Sequence, residues 1–201
     1  MATKYFTCAE TAKLIRKALK EAFPGIKFSV KSHTYSGGAS INVRWTDGPN
    51  EEQVKAVARH FEASYFDGCI DYKGSIYHMM EGQSVRFGAD FIFCYRYYTD
   101  AAVQKAIDAV YRRFESNFKR DGIAKPTLSD YYSGALWNAR LSGLHVYCNQ
   151  CIAGDIEVAL GKHSDRLKVD KSATAAAVFV THDDGYSRMN GAGMSAVPID
   201  L

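Results

Sequence analysis

Residues 7–45 constrain the fold most, because they combine a complete helix-start signal, a helix stop and two alternating strands. Thr7 and Glu10 have the spacing of a capping box, in which each side chain satisfies a free backbone N–H at the first helical turn. The apolar stripe that follows predicts an amphipathic helix from about Cys8 to Phe23, and Pro24-Gly25 ends it.

Two alternating segments come next, Lys27–Lys31 and Ser40–Trp45, and both are predicted to be strands. Because Gly37 and Gly38 lie between them, residues 32–39 are expected to form a flexible loop instead of a tight turn. Phe28, Val30, Ile41, Val43, Trp45, Val85 and Phe87 are expected to face the helices.

Two further helices are predicted, one over roughly Glu51–Tyr65 and one over Asp100–Phe118. A Gly- and Tyr-rich loop with a short strand at Ile70–Tyr72 should separate the second helix from two more strands, Ser84–Phe87 and Asp90–Tyr98. The order α-β-β-α-β-β-α predicts an α+β fold, with an antiparallel sheet backed by helices.

The remaining chain is predicted to form a smaller C-terminal α/β subdomain. Gly122 and Pro126 interrupt regular structure between a first domain, 1–120, and this subdomain, 128–201, which should end in a flexible tail from Gly185. Within it, a helix is expected at Leu128–Leu141, and strands are expected at Leu144–Cys148, Ile156–Leu160 and Ala175–Thr181.

Composition excludes several classes of protein. The 201-residue chain is 47% hydrophobic and 23% charged, as in ordinary folded domains, and no apolar run is long enough to cross a bilayer. Five cysteines without framework spacing and an N-terminus without a signal pattern favour the cytoplasm. Residues 1–120 carry 18 Lys and Arg against 13 Asp and Glu, so a basic surface is expected there.

Strand parity predicts where that basic surface lies. If Phe91, Phe93, Tyr95 and Tyr97 face the core, the outer face of the sheet carries Lys27, Lys31, Arg44, Arg86 and Arg96. Such a face could bind phosphates, meet an acidic or RNA-bearing protein surface, or simply be solvated. Buried rings cannot stack on bases, so this parity argues against a domain that recognises single-stranded RNA. The opposite parity in the last strand would weaken that objection.

A second basic group lies on the first predicted helix. Lys13, Arg16, Lys17 and Lys20 share its polar face, where they could contact a partner or only keep the helix solvated.

One group of residues has the chemistry of a metal site. Cys148 and Cys151 have zinc-chelating spacing, and His145 and His163 could complete a tetrahedral set. The alternative is that the two cysteines are small buried residues. No phosphate loop, nucleophile elbow or paired-carboxylate pattern is present, so no catalytic residues are expected.

Four segments carry a resemblance to a known family: Thr11–Lys20, Phe23–Val30, Ser40–Pro49 and Glu62–Gly68. Through them, residues 8–73, and less clearly the chain to 118, resemble the large polyvalent protein associated domain family, of the kind catalogued as domain 29. The resemblance implies a phage or conjugative-plasmid origin and protection of the invading element from host defence. It implies no catalytic residues.

The resemblance favours a stoichiometric binding inhibitor of a CRISPR-Cas or similar defence complex, so the expected partner is a host ribonucleoprotein or one of its subunits. The alternatives are a nucleic-acid-binding accessory protein of a mobile element and a zinc-dependent module or enzyme. No cofactor other than zinc and no membrane partner are expected.

Overall fold

Two separate hydrophobic cores organise the chain. The computed structural model describes residues 3–166 and 168–186. The first compact unit takes its described residues from Met1–Trp45, Glu51–Arg96 and Arg166–Leu201, and the second takes its residues from Thr46–Asn50 and Tyr97–Asp165. Each unit has its own cluster of buried apolar side chains.

The first unit contains all of the described strands, together with the helices that cover them. Its strands are β1 (Lys4–Phe6), β2 (Ser29–Tyr35), β3 (Gly38–Thr46), β4 (Ser64–Asp67), β5 (Tyr72–Met80), β6 (Gln83–Phe87), β7 (Phe91–Tyr97) and β8 (Val178–Asp183), of which β3 and β7 extend one residue into the second unit. Its helices are α1 (Cys8–Ala22), α2 (Glu51–Ala58), a 3₁₀ turn at Arg59–Phe61 and α7 (Ala173–Ala176).

Helix α1 forms as its sequence predicts. The reciprocal capping box between Thr7 and Glu10 is present, and the helix ends at Ala22 with Phe23 as its C-cap. The buried face of α1, which includes Ile15 and Leu19, packs into the first core. The helix start is therefore set by local hydrogen bonds, and its orientation is set by its apolar stripe.

Strands β2 and β3 pair as a long antiparallel hairpin. The ladder runs from Ser29 opposite Arg44 to Tyr35 opposite Gly38, so only Ser36 and Gly37 form the turn. The expectation of a flexible loop over residues 32–39 is wrong. Gly37 has φ of +88°, a conformation that tight hairpin turns require and that glycine adopts without strain.

The strands form two sheets. One has the order β1-β6-β5-β4, with β8 also paired to β5, and the other has the order β2-β3-β7. In the first sheet β1 runs parallel to β6, whereas β4, β6 and β8 each pair antiparallel with β5. The α+β class with helices backing the sheets is confirmed, but two mixed sheets replace the single antiparallel sheet that was expected.

Much of the segment predicted to be a loop before Ser84 belongs to β4 and β5. The glycines of this segment suggested a loop, but Gly74 is needed for close packing and not for a turn. A Cβ at Gly74 would lie 2.1 Å from the Tyr65 ring, which crosses the strand at this point. The early start of β4 also shortens the second helix, which ends before Tyr65.

The second unit contains the remaining helices. They are α3 (Asp100–Arg113), α4 (Glu115–Arg120), α5 (Leu128–Tyr132), a 3₁₀ turn at Ala135–Trp137 and α6 (Ile152–Lys162). Thr99 caps α3 as predicted, but the helix breaks at Phe114. The strand expected at Ile156–Leu160 is part of α6, and Leu144–Cys148 is not a strand. Ile152, Ile156 and Leu160 are buried, which is a helical spacing.

The division of the chain differs from the expected domains 1–120 and 128–201. Residues 119–127 lie inside the second unit, whereas the described residues after 165 belong to the first. Residues 187–193 of the expected tail lie outside the described residues. In the part of the chain that the structure describes, no helix is long and apolar enough to cross a membrane.

Candidate nucleic-acid interface

The sheet formed by β2, β3 and β7 has one buried face and one exposed face. Val30, Ile41, Val43 and Trp45 are buried in the first core, as strand parity predicted. Lys31 and Arg44 alternate with these residues, and their side chains are exposed on the opposite face.

Strand β7 has the opposite parity from the one expected. Ile92 and Cys94 are buried in the core, whereas Phe93 and Tyr95 are 44% and 43% exposed. The prediction that the aromatic set lies in the core is wrong. Both alternate sets of this strand contain apolar residues, so hydrophobicity alone did not fix the parity. Ile92 is held further by its backbone N–H, which donates to Glu62 Oε1 at 2.8 Å.

The outward-facing rings of β7 form a continuous column. The ring centroids of Phe91 and Phe93 are 6.3 Å apart, and those of Phe93 and Tyr95 are 6.4 Å apart with an angle of 27° between the ring planes. The Arg44 guanidinium on β3 lies over the Tyr95 ring, 5.8 Å from its centroid. We call Phe91, Phe93, Tyr95, Arg44 and Lys31 the aromatic sheet face.

The expected five-cation surface is not assembled. Lys31 and Arg44 share the aromatic sheet face, and exposed Lys27 precedes β2. Arg86 lies on β6 in the other sheet, over the ring of Tyr77. Arg96 is 8% exposed because it takes the inward parity of β7. The prediction that all five residues share one basic surface is therefore wrong.

The aromatic sheet face combines two chemistries that nucleic acids recognise. Exposed rings on a strand can stack on unpaired bases, and a neighbouring guanidinium and ammonium can contact phosphates. Within the described chain, neither Lys31 nor Arg44 forms an ion pair, so their charges are not neutralised by a nearby carboxylate. The neighbouring Asn42 adds a partly exposed amide to the same face.

The basic stripe of α1 is exposed as expected. Lys13, Arg16, Lys17 and Lys20 all reach solvent from one side of the helix. Arg16 also donates to the backbone oxygen of Val30 at 2.6 Å, so it ties the helix to β2. A role for this stripe in partner binding stays a prediction.

The four zinc candidates are not gathered into one site. His145 accepts from the Leu141 N–H at Nδ1 and is bonded to Asp155 through Nε2, which leaves neither ring nitrogen open to a metal. Cys151 accepts from the Gly154 N–H as the cap of α6. Cys148 is exposed, and His163 is bonded to Asp165. No group of three or more possible metal ligands occurs among the described residues.

The buried thiols of the first unit are also poor nucleophiles. Burial raises the pKa of the Cys94 thiol to about 11, and burial likewise raises the pKa of Cys8. A thiol with a raised pKa carries little reactive thiolate at neutral pH. These two cysteines therefore serve as small core residues.

The comparison with protein families identifies the region that contains this interface. Residues 6–99 match the family model described as Large polyvalent protein associated domain 29, a domain family of phage- and plasmid-associated proteins. The match confirms the resemblance seen in the sequence, and it includes every residue of the aromatic sheet face. Among curated proteins and solved structures, no significant match to the chain is found.

Proposed function

We propose that this domain of a phage- and plasmid-associated family binds single-stranded nucleic acid through the aromatic sheet face. The observation that carries the proposal is the column formed by half-buried Phe91 and exposed Phe93 and Tyr95, with Arg44 above Tyr95. Three large rings on one open strand are costly to leave in water, and bases are partners whose flat faces match them.

The expected energies give this proposal a scale. Stacking of one base on one aromatic ring contributes about 1–3 kcal/mol, so loss of the Tyr95 ring should weaken binding by roughly 5- to 150-fold. If Lys31 and Arg44 each neutralise one phosphate, affinity for a single strand should fall about sevenfold between about 50 and 200 mM salt.

Fluorescence anisotropy with labelled single-stranded DNA and RNA tests both effects. Tyr95→Ala and Phe93→Ala should weaken binding, and Arg44→Gln should flatten the salt dependence. Tyr147→Ala is the matched control, since it removes a tyrosine that is 69% exposed in the second unit. Binding that is absent at low salt, or equal in Tyr95→Ala and the control, contradicts the proposal.

A second candidate function is counter-defence. Here the protein would be a stoichiometric inhibitor, in the cytoplasm of the bacterial host, that binds a CRISPR-Cas or similar ribonucleoprotein complex. The family match of residues 6–99 supports it, since polyvalent-protein domains occur in mobile elements that must survive host defence. The aromatic sheet face would then contact the guide RNA or the channel that holds it.

Co-elution with purified defence complexes tests this second candidate. The expected result is a complex of fixed stoichiometry, or loss of a subunit, together with restored plating of a phage that the defence system restricts. The counter-defence role is refuted if the protein binds none of the complexes and does not restore plating of the phage. Binding to free single strands would still be tested separately by anisotropy.

A further inference from the structure

A second candidate site is a cleft in the first unit that the aromatic rings of β7 do not line. Its volume is about 650 Å³, and it is lined by the β2–β3 turn, the chain from β1 into α1, and parts of β5 and β6. Small-molecule sites in proteins typically have volumes of about 300–1,000 Å³, so the cleft can hold a ligand of nucleotide size.

Two cations line this cleft. Lys73 Nζ lies 3.2 Å from Asp90 Oδ2 and 3.4 Å from the Gly37 oxygen. The Arg86 guanidinium lies 5.9 Å from the centroid of the Tyr77 ring and is exposed. Arg86 and Lys73 both line the cleft and bring donors and positive charge of the kind that bind a phosphate group.

The acidic residue in the cleft is already satisfied by the protein. Asp90 accepts hydrogen bonds from the Ala39 N–H at 3.2 Å and the Ser64 hydroxyl at 3.1 Å, besides its contact with Lys73. This carboxylate is therefore compensated locally, and the charge offered to a ligand remains positive through Arg86. Gly38 makes the arrangement possible, because a Cβ there would lie 2.5 Å from Asp90 Oδ2.

Two exposed tyrosines complete the lining. Tyr5 is 62% exposed and Tyr35 is 52% exposed, and both belong to the cleft. Tyr5 is paired in register with Arg86, which places a ring and a guanidinium on neighbouring strands. A ring beside a cation suits a ligand that carries both a flat heterocycle and a phosphate.

We propose that this cleft binds a nucleotide, with the phosphate on Arg86 and Lys73 and the base against Tyr5 or Tyr35. The ligand is either a free mononucleotide or the phosphorylated end of a strand, which offers the same chemistry. The site is separate from the aromatic sheet face, so a mononucleotide can bind here even if that face binds nothing.

Isothermal titration of the full chain with AMP, GMP and inorganic phosphate tests the proposal. Both nucleotides should bind, and inorganic phosphate should bind more weakly because it lacks the base. Arg86→Gln should weaken nucleotide binding by about 10- to 100-fold, as expected for loss of a charge-assisted hydrogen bond. Tyr5→Leu and Tyr35→Leu should reduce the preference for nucleotide over phosphate.

Arg112→Gln is the control, because it removes an exposed arginine from α3 in the second unit, which belongs to neither proposed site, and should leave AMP binding unchanged. A thermal unfolding curve of each variant confirms that it is folded. A 5′-phosphorylated oligonucleotide compared with its 5′-hydroxyl form separates the two sources: tighter binding of the phosphorylated form, lost in Arg86→Gln, identifies a strand end. Absence of nucleotide binding, equal affinity for phosphate and AMP, or unchanged binding in Arg86→Gln overturns the proposal.

Discussion

We expect His78 to make the stability of the first unit depend on pH. It lies on β5 with 1% exposure, and neither ring nitrogen has a hydrogen-bond partner. Its ring packs edge-on against Phe87, with centroids 5.0 Å apart. Burial is the main cause that lowers the pKa of His78 from 6.5 to about 4. The nearby His60 contributes to this decrease in pKa, and a smaller contribution from the Ile76 backbone opposes it.

The sign and size of the effect follow from that pKa. Since the unfolded chain binds the proton more tightly, the imidazole is protonated on unfolding below pH 6.5, and stability falls as the pH falls. With these two pKa values the loss of unfolding free energy is small at pH 7. It is about 2 kcal/mol at pH 5 and about 3 kcal/mol at pH 4, where it nears its limit.

The variant that isolates this effect is His78→Leu. Leucine cannot be protonated and leaves no buried polar atom unsatisfied, so at pH 7 the variant should be as stable as the parent or more stable by about 1 kcal/mol. At pH 5 its advantage should grow by about 2 kcal/mol. Chemical unfolding followed by circular dichroism at both pH values measures these differences.

His33→Gln is the matched control, because it removes an exposed histidine from β2 without touching the buried site. The control should keep the pH dependence of the parent protein. If His78→Leu and the parent lose the same free energy of unfolding between pH 7 and pH 5, His78 is not buried as a neutral group and the reasoning is refuted.

Three further predictions follow from packing and burial. Gly88→Ala should lower stability by about 2 kcal/mol or more in thermal unfolding, because its Cβ would lie 2.7 Å from backbone atoms of β1 and α1; unchanged stability would contradict this packing. Asp184→Ala should cost about 2–4 kcal/mol in the same assay, since it removes the acceptor of two tyrosine hydroxyls and a backbone N–H. With a thiol reagent at neutral pH, exposed Cys69 and Cys148 should react fast, whereas Cys94 should react only on unfolding; fast labelling of Cys94 in the folded protein would rule out its burial.

The proposed interface was only partly visible in the sequence. Alternation correctly placed Val30 and Val43 inside and Lys31 and Arg44 outside, since in β3 the inward set is apolar and the outward set is polar apart from Gly38. In β7 both sets contain apolar residues, and the larger rings suggested the wrong side. The run of four aromatics at every second position was the available signal, because it also fits an exposed stacking surface.

The cleft that we propose as a nucleotide site could not be predicted from the sequence. Its lining residues come from segments far apart in the chain, such as Tyr5, Tyr35, Lys73 and Arg86. No spacing rule relates them, because their proximity depends on the pairing of β1 with β6 and on the reach of the β2–β3 hairpin.

The sequence by itself determined the features that arise from contacts between near neighbours. These are the capped start of α1, the inward residues of β2 and β3, the cap of α3 and the α+β class. Such features follow from hydrogen bonds and side-chain periodicity within a few residues, which any chain segment expresses locally. Tertiary structure alone decided the parity of β7, the assignment of β5 as a central strand, and the separation of Arg86 and Arg96 from Arg44. Each of these depends on which strands pair and which surface is covered, and that free energy comes from burial shared between distant parts of the chain.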